Sequence, residues 1–129
     1  MNTQHERSAF CPVYHHAIEL IGRRWTGAIL RALLSGETRF SEVTATVPGL
    51  SDRLLSERLK ELEAEGIVTR TVIPDTPVRI AYHLTEKGQA LSQVMEAIAL
   101  WAEEWVEPAH AEQQCAEAES KLATAGLHG

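Results

Sequence analysis

Apolar residues recur at three- and four-residue spacing from Pro12 onward, and this periodicity predicts a succession of short amphipathic helices. Val13, Ala17, Ile18 and Ile21 mark the first, which Gly22 ends. Trp25 opens the second, whose stripe of Ile29, Leu30, Leu33 and Leu34 runs to the stop at Ser35-Gly36. The polar link Glu37-Thr38-Arg39 leads into a third helix over 40–47, with Phe40 and Val43 facing inward and Val47 closing the stripe. Pro48-Gly49 breaks the chain again. Ser51 is then an N-cap, and Asp52 places a negative charge in the first turn, where the helix dipole favours it. This fourth helix runs to Glu65 and stops at Gly66, with Leu54, Leu55, Leu59 and Leu62 on one face and Arg53, Ser56, Glu57 and Lys60 on the other.

The period then changes from helical to two. Residues 67–73 and 78–84 read as strands, and the second alternates Val78, Ile80, Tyr82 and Leu84 against Arg79, Ala81 and His83. Pro74-Asp75-Thr76-Pro77 forms the turn between them. Thr85 caps one long final helix carrying Leu91, Val94, Met95, Ile98, Trp101 and Trp105, which Pro108 ends. The fold class is therefore mainly α with a small β-hairpin (α+β): two short helices joined by a tight turn, then a hairpin, make a winged helix-turn-helix. Residues 1–10 read as a mobile polar arm, 11–107 as the DNA-binding and dimerisation domain, and 108–129 as an acidic Ala/Glu-rich tail.

A net charge of −6 over 129 residues sits awkwardly with binding to phosphates, but the charge is unevenly placed. Residues 22–88 hold ten Lys/Arg against nine acids, whereas the flanks hold nine acids against Arg7 and Lys121 alone. The acidity thus belongs to the flanks, and salt screens it beyond roughly 8 Å. No apolar run approaches the ~18 residues that span a bilayer, and the N-terminus lacks a signal-peptide core. Two cysteines about a hundred positions apart do not form a disulfide framework, so a reducing cytoplasm is the expected compartment.

The ordered strings Cys11-Pro12-Val13, Ile18-Glu19-Leu20-Ile21-Gly22, Trp25-Thr26, Arg39-Phe40-Ser41-Glu42-Val43 and Pro48-Gly49-Leu50-Ser51 resemble the HxlR-type family of bacterial winged-helix regulators, relatives of the MarR group. Leu54-Leu55-Ser56-Glu57-Arg58-Leu59-Lys60-Glu61-Leu62-Glu63, Gly66-Ile67-Val68, Tyr82-His83-Leu84-Thr85 and Lys87-Gly88 continue the likeness, which spans about residues 11–107. The resemblance implies a homodimeric transcription regulator on inverted-repeat DNA. It also implies, for some members, sensing of oxidants or electrophiles through the cysteine corresponding to Cys11. Asp52 stands where a neutral residue or proline is usual, so base preference does not carry over. The turn Asp75-Thr76-Pro77 has one proline fewer than many members.

Each candidate residue has a plainer alternative. Ser51, Asp52 and Arg53, at the start of the fourth helix, are the expected base readers. Ser56 and Lys60 share their solvent-facing side, Lys60 meeting phosphate; the alternative is a merely solvated face. Arg58 borders the leucine face and reads as a packing or salt-bridge residue. Arg79 is the wing contact or a strand residue in water. Thr38 and Arg39 precede a helix whose free N–H groups suit a phosphate, or Arg39 is structural; Arg23 and Arg24 are weaker candidates of the same kind. Cys11, just ahead of a helix with Pro12 at its first position, is either a small buried hydrophobe or a redox sensor. Cys115 reads as incidental. Cys11 and His15 could offer two metal ligands, short of the three or four that zinc needs, so no metal or cofactor is expected. No phosphate loop, nucleophile elbow or paired-carboxylate motif points to an enzyme. Val13, Leu91, Val94, Met95, Ile98, Trp101 and Trp105 form the expected dimer seam. A small-molecule effector is the remaining expected partner. The rival to a DNA-binding regulator is a winged-helix protein-interaction module; it would carry apolar anchors on the face of 51–60.

Overall fold

A computed structural model describes residues 9–112. The predicted arm at 1–10 and tail at 108–129 therefore fall largely outside the described residues, as does Cys115.

Pro12 fixes the first turn of α1 (Pro12–Ile21), and Gly22 caps its end. α2 (Thr26–Leu34) begins one residue later than the spacing predicts, because Trp25 takes a left-handed conformation (φ 76°) outside the helix. Gly36, at φ 106°, ends α2: its N–H donates to Leu33 O and that of Glu37 to Ala32 O. α3 (Phe40–Thr46) and α4 (Asp52–Ala64) follow. α4 closes in the same way as α2, with Gly66 at φ 76° and Ile67 N–H donating back to Leu62 O. Side chains other than glycine pay steric strain in this conformation, so both stops are written in the sequence.

The core lies where the inner faces of these helices meet. Ile29, Leu30 and Leu33 of α2 pack with Val43 of α3 and Leu55, Leu59 and Leu62 of α4, closed by Ile67 and Val68. β1 (Val68–Ile73) and β2 (Arg79–Leu84) pair antiparallel, Val68 opposite Leu84 and Ile73 opposite Arg79. The predicted alternation of β2 needs one correction. Ala81, expected on the face away from Ile80 and Leu84, is itself buried, while Val78 is exposed. The reason is a third segment: Arg39 bridges Ala81, and Tyr82 N–H donates to Thr38 O at 2.8 Å, so the link before α3 covers β2.

The single long final helix is the second correction. Thr85 caps a one-turn α5 (Glu86–Gln89), its Oγ1 accepting from Gly88 N–H at 3.1 Å and donating to Gly66 O at 2.6 Å. After Ala90 the chain continues as α6 (Leu91–Trp105). The step falls where Gly88 is pressed against the end of α4: a Cβ there would lie 2.3 Å from Ile67 O.

Two surfaces remain apolar and uncovered. α1 buries no residue, and Val13 is 75% exposed, with Tyr14 and Ile18 beside it. On α6, Val94, Ile98, Trp101 and Trp105 are exposed, Trp101 at 60%. Met95 departs from the predicted seam. It is 7% exposed and belongs to the protomer's own core, with Leu91 half-buried against the same core.

Candidate nucleic-acid interface

Three leucines of α4 are fully buried, which fixes the opposite edge of that helix outward. Ser51 Oγ accepts from Leu54 N–H at 3.1 Å, so the acceptor of this hydroxyl is used by the cap while its proton stays available. Asp52 and Arg53 are exposed in the first turn, Arg53 at 90% of its side chain. Arg53 Nε reaches Glu57 Oε1 at 3.3 Å, an exposed pair of small energetic worth that leaves the guanidinium free to exchange partners.

Ser56 and Lys60 lie at the i+3 and i+7 positions from Arg53 on the same helix. Ser56 is half-buried, and both line the hollow between α4 and the hairpin. At the hairpin tip Arg79 Nε lies 3.5 Å from Asp75 Oδ2. Arg79 also shares a hollow with Arg39 and Ser41, so the structure gathers the wing candidate and one pre-α3 candidate at one place.

The amides ahead of α3 are not free for a phosphate. Glu42 Oε1 accepts from Arg39 N–H at 2.8 Å and from Thr38 N–H at 3.0 Å. Those two donors, Arg39 first, hold the Glu42 carboxyl below its ordinary range. With its carbonyl bound to Tyr82 as well, Thr38 has its backbone committed to the fold, which leaves the Arg39 side chain as the contact this link can offer.

Behind its exposed edge, α4 is tied to the segment preceding α2. Arg58, its side chain 15% exposed, donates through Nε to Arg24 O at 3.0 Å and through NH1 to Glu61 Oε2 at 3.1 Å. Arg23 meets the same Glu61 oxygen at 3.0 Å. Arg58 and Arg23 thus orient the helix, and Arg24 lies against the Trp25 ring, 5.5 Å from its centroid. His16 Nε2 lies 2.7 Å from Glu65 Oε1 and joins α1 to the other end of α4.

Cys11 is the N-cap residue of α1, partly exposed, with no side-chain hydrogen bond to the helix. The Phe10 and His15 rings stand 5.1 Å apart beside it. Among the described residues no three metal-type side chains converge, and no helix is long and apolar enough to cross a membrane.

Residues 20–110 match the family model described as HxlR-like helix-turn-helix. The chain belongs to the HxlR family. It is a DNA-binding helix-turn-helix transcriptional regulator, as its relatives are. The HTH-type transcriptional regulator YvaP of Bacillus subtilis is 52% identical over 79% of this chain and 94% of its own length. YodB of the same organism is 46% identical over 78% of this chain and 90% of its own. The structure of YodB in its reduced form superimposes with a TM-score of 0.68 at 47% identity, covering 77% of this chain and 97% of that one. Quinone-bound YodB gives 0.65 at 43% identity, over 74% and 100% respectively. These neighbours fix the fold as a winged helix-turn-helix. The exposed edge of α4 is polar throughout, and no exposed large apolar side chain lies on it, which removes the main support for a pure protein-interaction module.

Sequence reasoning identified the exposed edge of α4 but passed over Arg70. Its signal was the two-residue period from Val68, which sets Arg70 on the same strand face as Val72 and opposite Tyr82.

Proposed function

We propose that this regulator binds an inverted-repeat operator as a homodimer and that oxidants or electrophiles acting at Cys11 change its affinity. The observation that carries the reading is the placement of Cys11. It caps a helix with no fully buried residue, directly ahead of the uncovered Val13, and is itself partly accessible. Apolar faces on both α1 and α6 need a partner, and a second copy of the chain covers them with like surface. Such a dimer sets two α4 helices about one turn of DNA apart, ~34 Å. In each half-site Ser51, Asp52 and Arg53 face base edges, Asp52 suited to accept from cytosine and Arg53 to pair with guanine. Arg39 and Arg79 meet the backbone or minor groove beside them.

Chemistry at Cys11 then acts at the seam. A quinone takes Sγ at a ring carbon, the thiol proton ends on a quinone oxygen, and a bulky hydroquinone thioether remains beside the dimer helices. The dimer shifts toward a geometry that no longer matches the half-site spacing. YodB, whose quinone-bound form is known, supports this choice of effector class.

The test is a gel-shift titration on DNA upstream of the protein's own and neighbouring genes, with and without diamide or a quinone. Wild-type protein should lose or gain specific affinity on treatment, whereas Cys11→Ser should bind as untreated protein does and ignore both reagents. An unchanged response in Cys11→Ser removes Cys11 from the mechanism. Absence of sequence-selective binding by the wild type removes the operator reading.

A further inference from the structure

The hollow between α4 and the hairpin is lined by Ser56, Lys60 and Glu63 from the helix and by Arg70 and Tyr82 from the strands, with Phe40 as an apolar wall. Arg70 is exposed at mid-strand on β1, directly across from Tyr82 in the register. Neither Arg70 nor Lys60 forms an ion pair among the described residues, in contrast to Arg23, Arg53, Arg58 and Arg79, each of which does. The Ser56 and Tyr82 hydroxyls also lack hydrogen-bond partners among the described residues, and Glu63 is the one carboxylate facing the hollow. Two uncommitted cations and two uncommitted hydroxyls therefore converge on a cleft open to solvent.

Duplex geometry supplies the ligand. A recognition helix in the major groove and a hairpin over the neighbouring minor groove are separated by one sugar–phosphate strand, and that strand has to pass between them. We infer that the cleft between α4 and the hairpin is a phosphodiester clamp for this strand, with Arg70 and Lys60 as its charged jaws and the Ser56 and Tyr82 hydroxyls as neutral donors. Arg70 suits the task because its planar fork can hold two phosphate oxygens at once. Glu63, also in the lining, repels phosphate and so opposes the two cations within the same hollow. The contact is indifferent to base sequence: it sets how far the recognition helix penetrates and which way it points.

The inference rests on DNA binding by this family, and the experiment separates the two. Dissociation constants of wild type, Arg70→Ala and Arg70→Lys are measured on operator and unrelated duplex across a salt series, with thermal melting to confirm folding. Arg70→Ala should weaken binding about tenfold on both duplexes alike. It should also flatten the slope of log affinity against log salt by roughly one. Arg70→Lys should recover the slope but only part of the affinity, since it keeps the charge and loses the fork. Ethylation of phosphates should interfere at positions between the helix and hairpin footprints, and that interference should vanish in Arg70→Ala. A folded Arg70→Ala with unchanged slope and affinity overturns the clamp, as does a loss confined to the operator, which would make Arg70 a base reader. Wild type that binds neither duplex overturns the DNA reading and the clamp together.

Discussion

Arg53 and Arg58 are five positions apart on one helix and have opposite duties. Arg58 is held by Arg24 O and Glu61 on the inner side of α4, whereas Arg53 projects into solvent with only Glu57 to steady it. A residue that spends nothing on the fold can be removed without harming it. Arg53→Ala should therefore melt as wild type does, yet lose specific binding by roughly ten- to a hundredfold with little change on unrelated DNA, as gel shifts on both duplexes will show. Equal loss on both would assign Arg53 to phosphates. This division was legible in the sequence because the leucine period fixes which side of α4 is buried. The fates of Thr38 and Met95 were not. Thr38 is claimed by Glu42 and Tyr82, and Met95 by the core beside α2, through contacts between segments that a local period does not report.

Among the elements, α3 has seven residues, too few to be stable by itself. Its start is held by the Glu42 carboxylate, which gathers the Arg39 and Thr38 amides, and the folded-state pKa of Glu42 is lowered in consequence. A depressed carboxyl contributes stability above its unfolded pKa and loses it as pH falls through the folded value. Glu42→Gln should accordingly melt at a lower temperature than wild type near neutrality. The gap should close as the pH drops below the ordinary carboxylate value of 4.5, a trend that calorimetry across pH can follow. A gap independent of pH would mean that the side-chain shape, and not its charge, matters. Glycine stops and helix periods made most elements readable in advance. The division between α5 and α6 was hidden because no breaker residue marks it; it arises from the close approach of Gly88 to Ile67 O.

For the molecule as a whole, the apolar faces of α1 and α6 form the seam of the proposed homodimer. Trp101 and Ile98 are exposed on the same helix whose Met95 is buried, so the inner side of α6 serves the protomer core and the outer side is left for the proposed partner copy. Trp101→Asp leaves the protomer core untouched and puts a charge into the dimer seam. Sedimentation should show a monomer at micromolar concentration, with near-native helical content and operator affinity reduced by at least a hundredfold, because two half-sites are no longer bound as one. A folded Trp101→Asp dimer would place the seam elsewhere.

The tight seat of Gly88 also has a metrological consequence. It joins the reading unit to α6, a helix of 15 residues, hence about 22 Å long. A tilt of roughly 10° at that joint carries the far end of the helix through about 4 Å, close to the ~3.4 Å step between successive base pairs. In the homodimer proposed above, the missing side chain at position 88 would act as a calibration mark, setting to within about one base pair the operator spacing that two copies straddle.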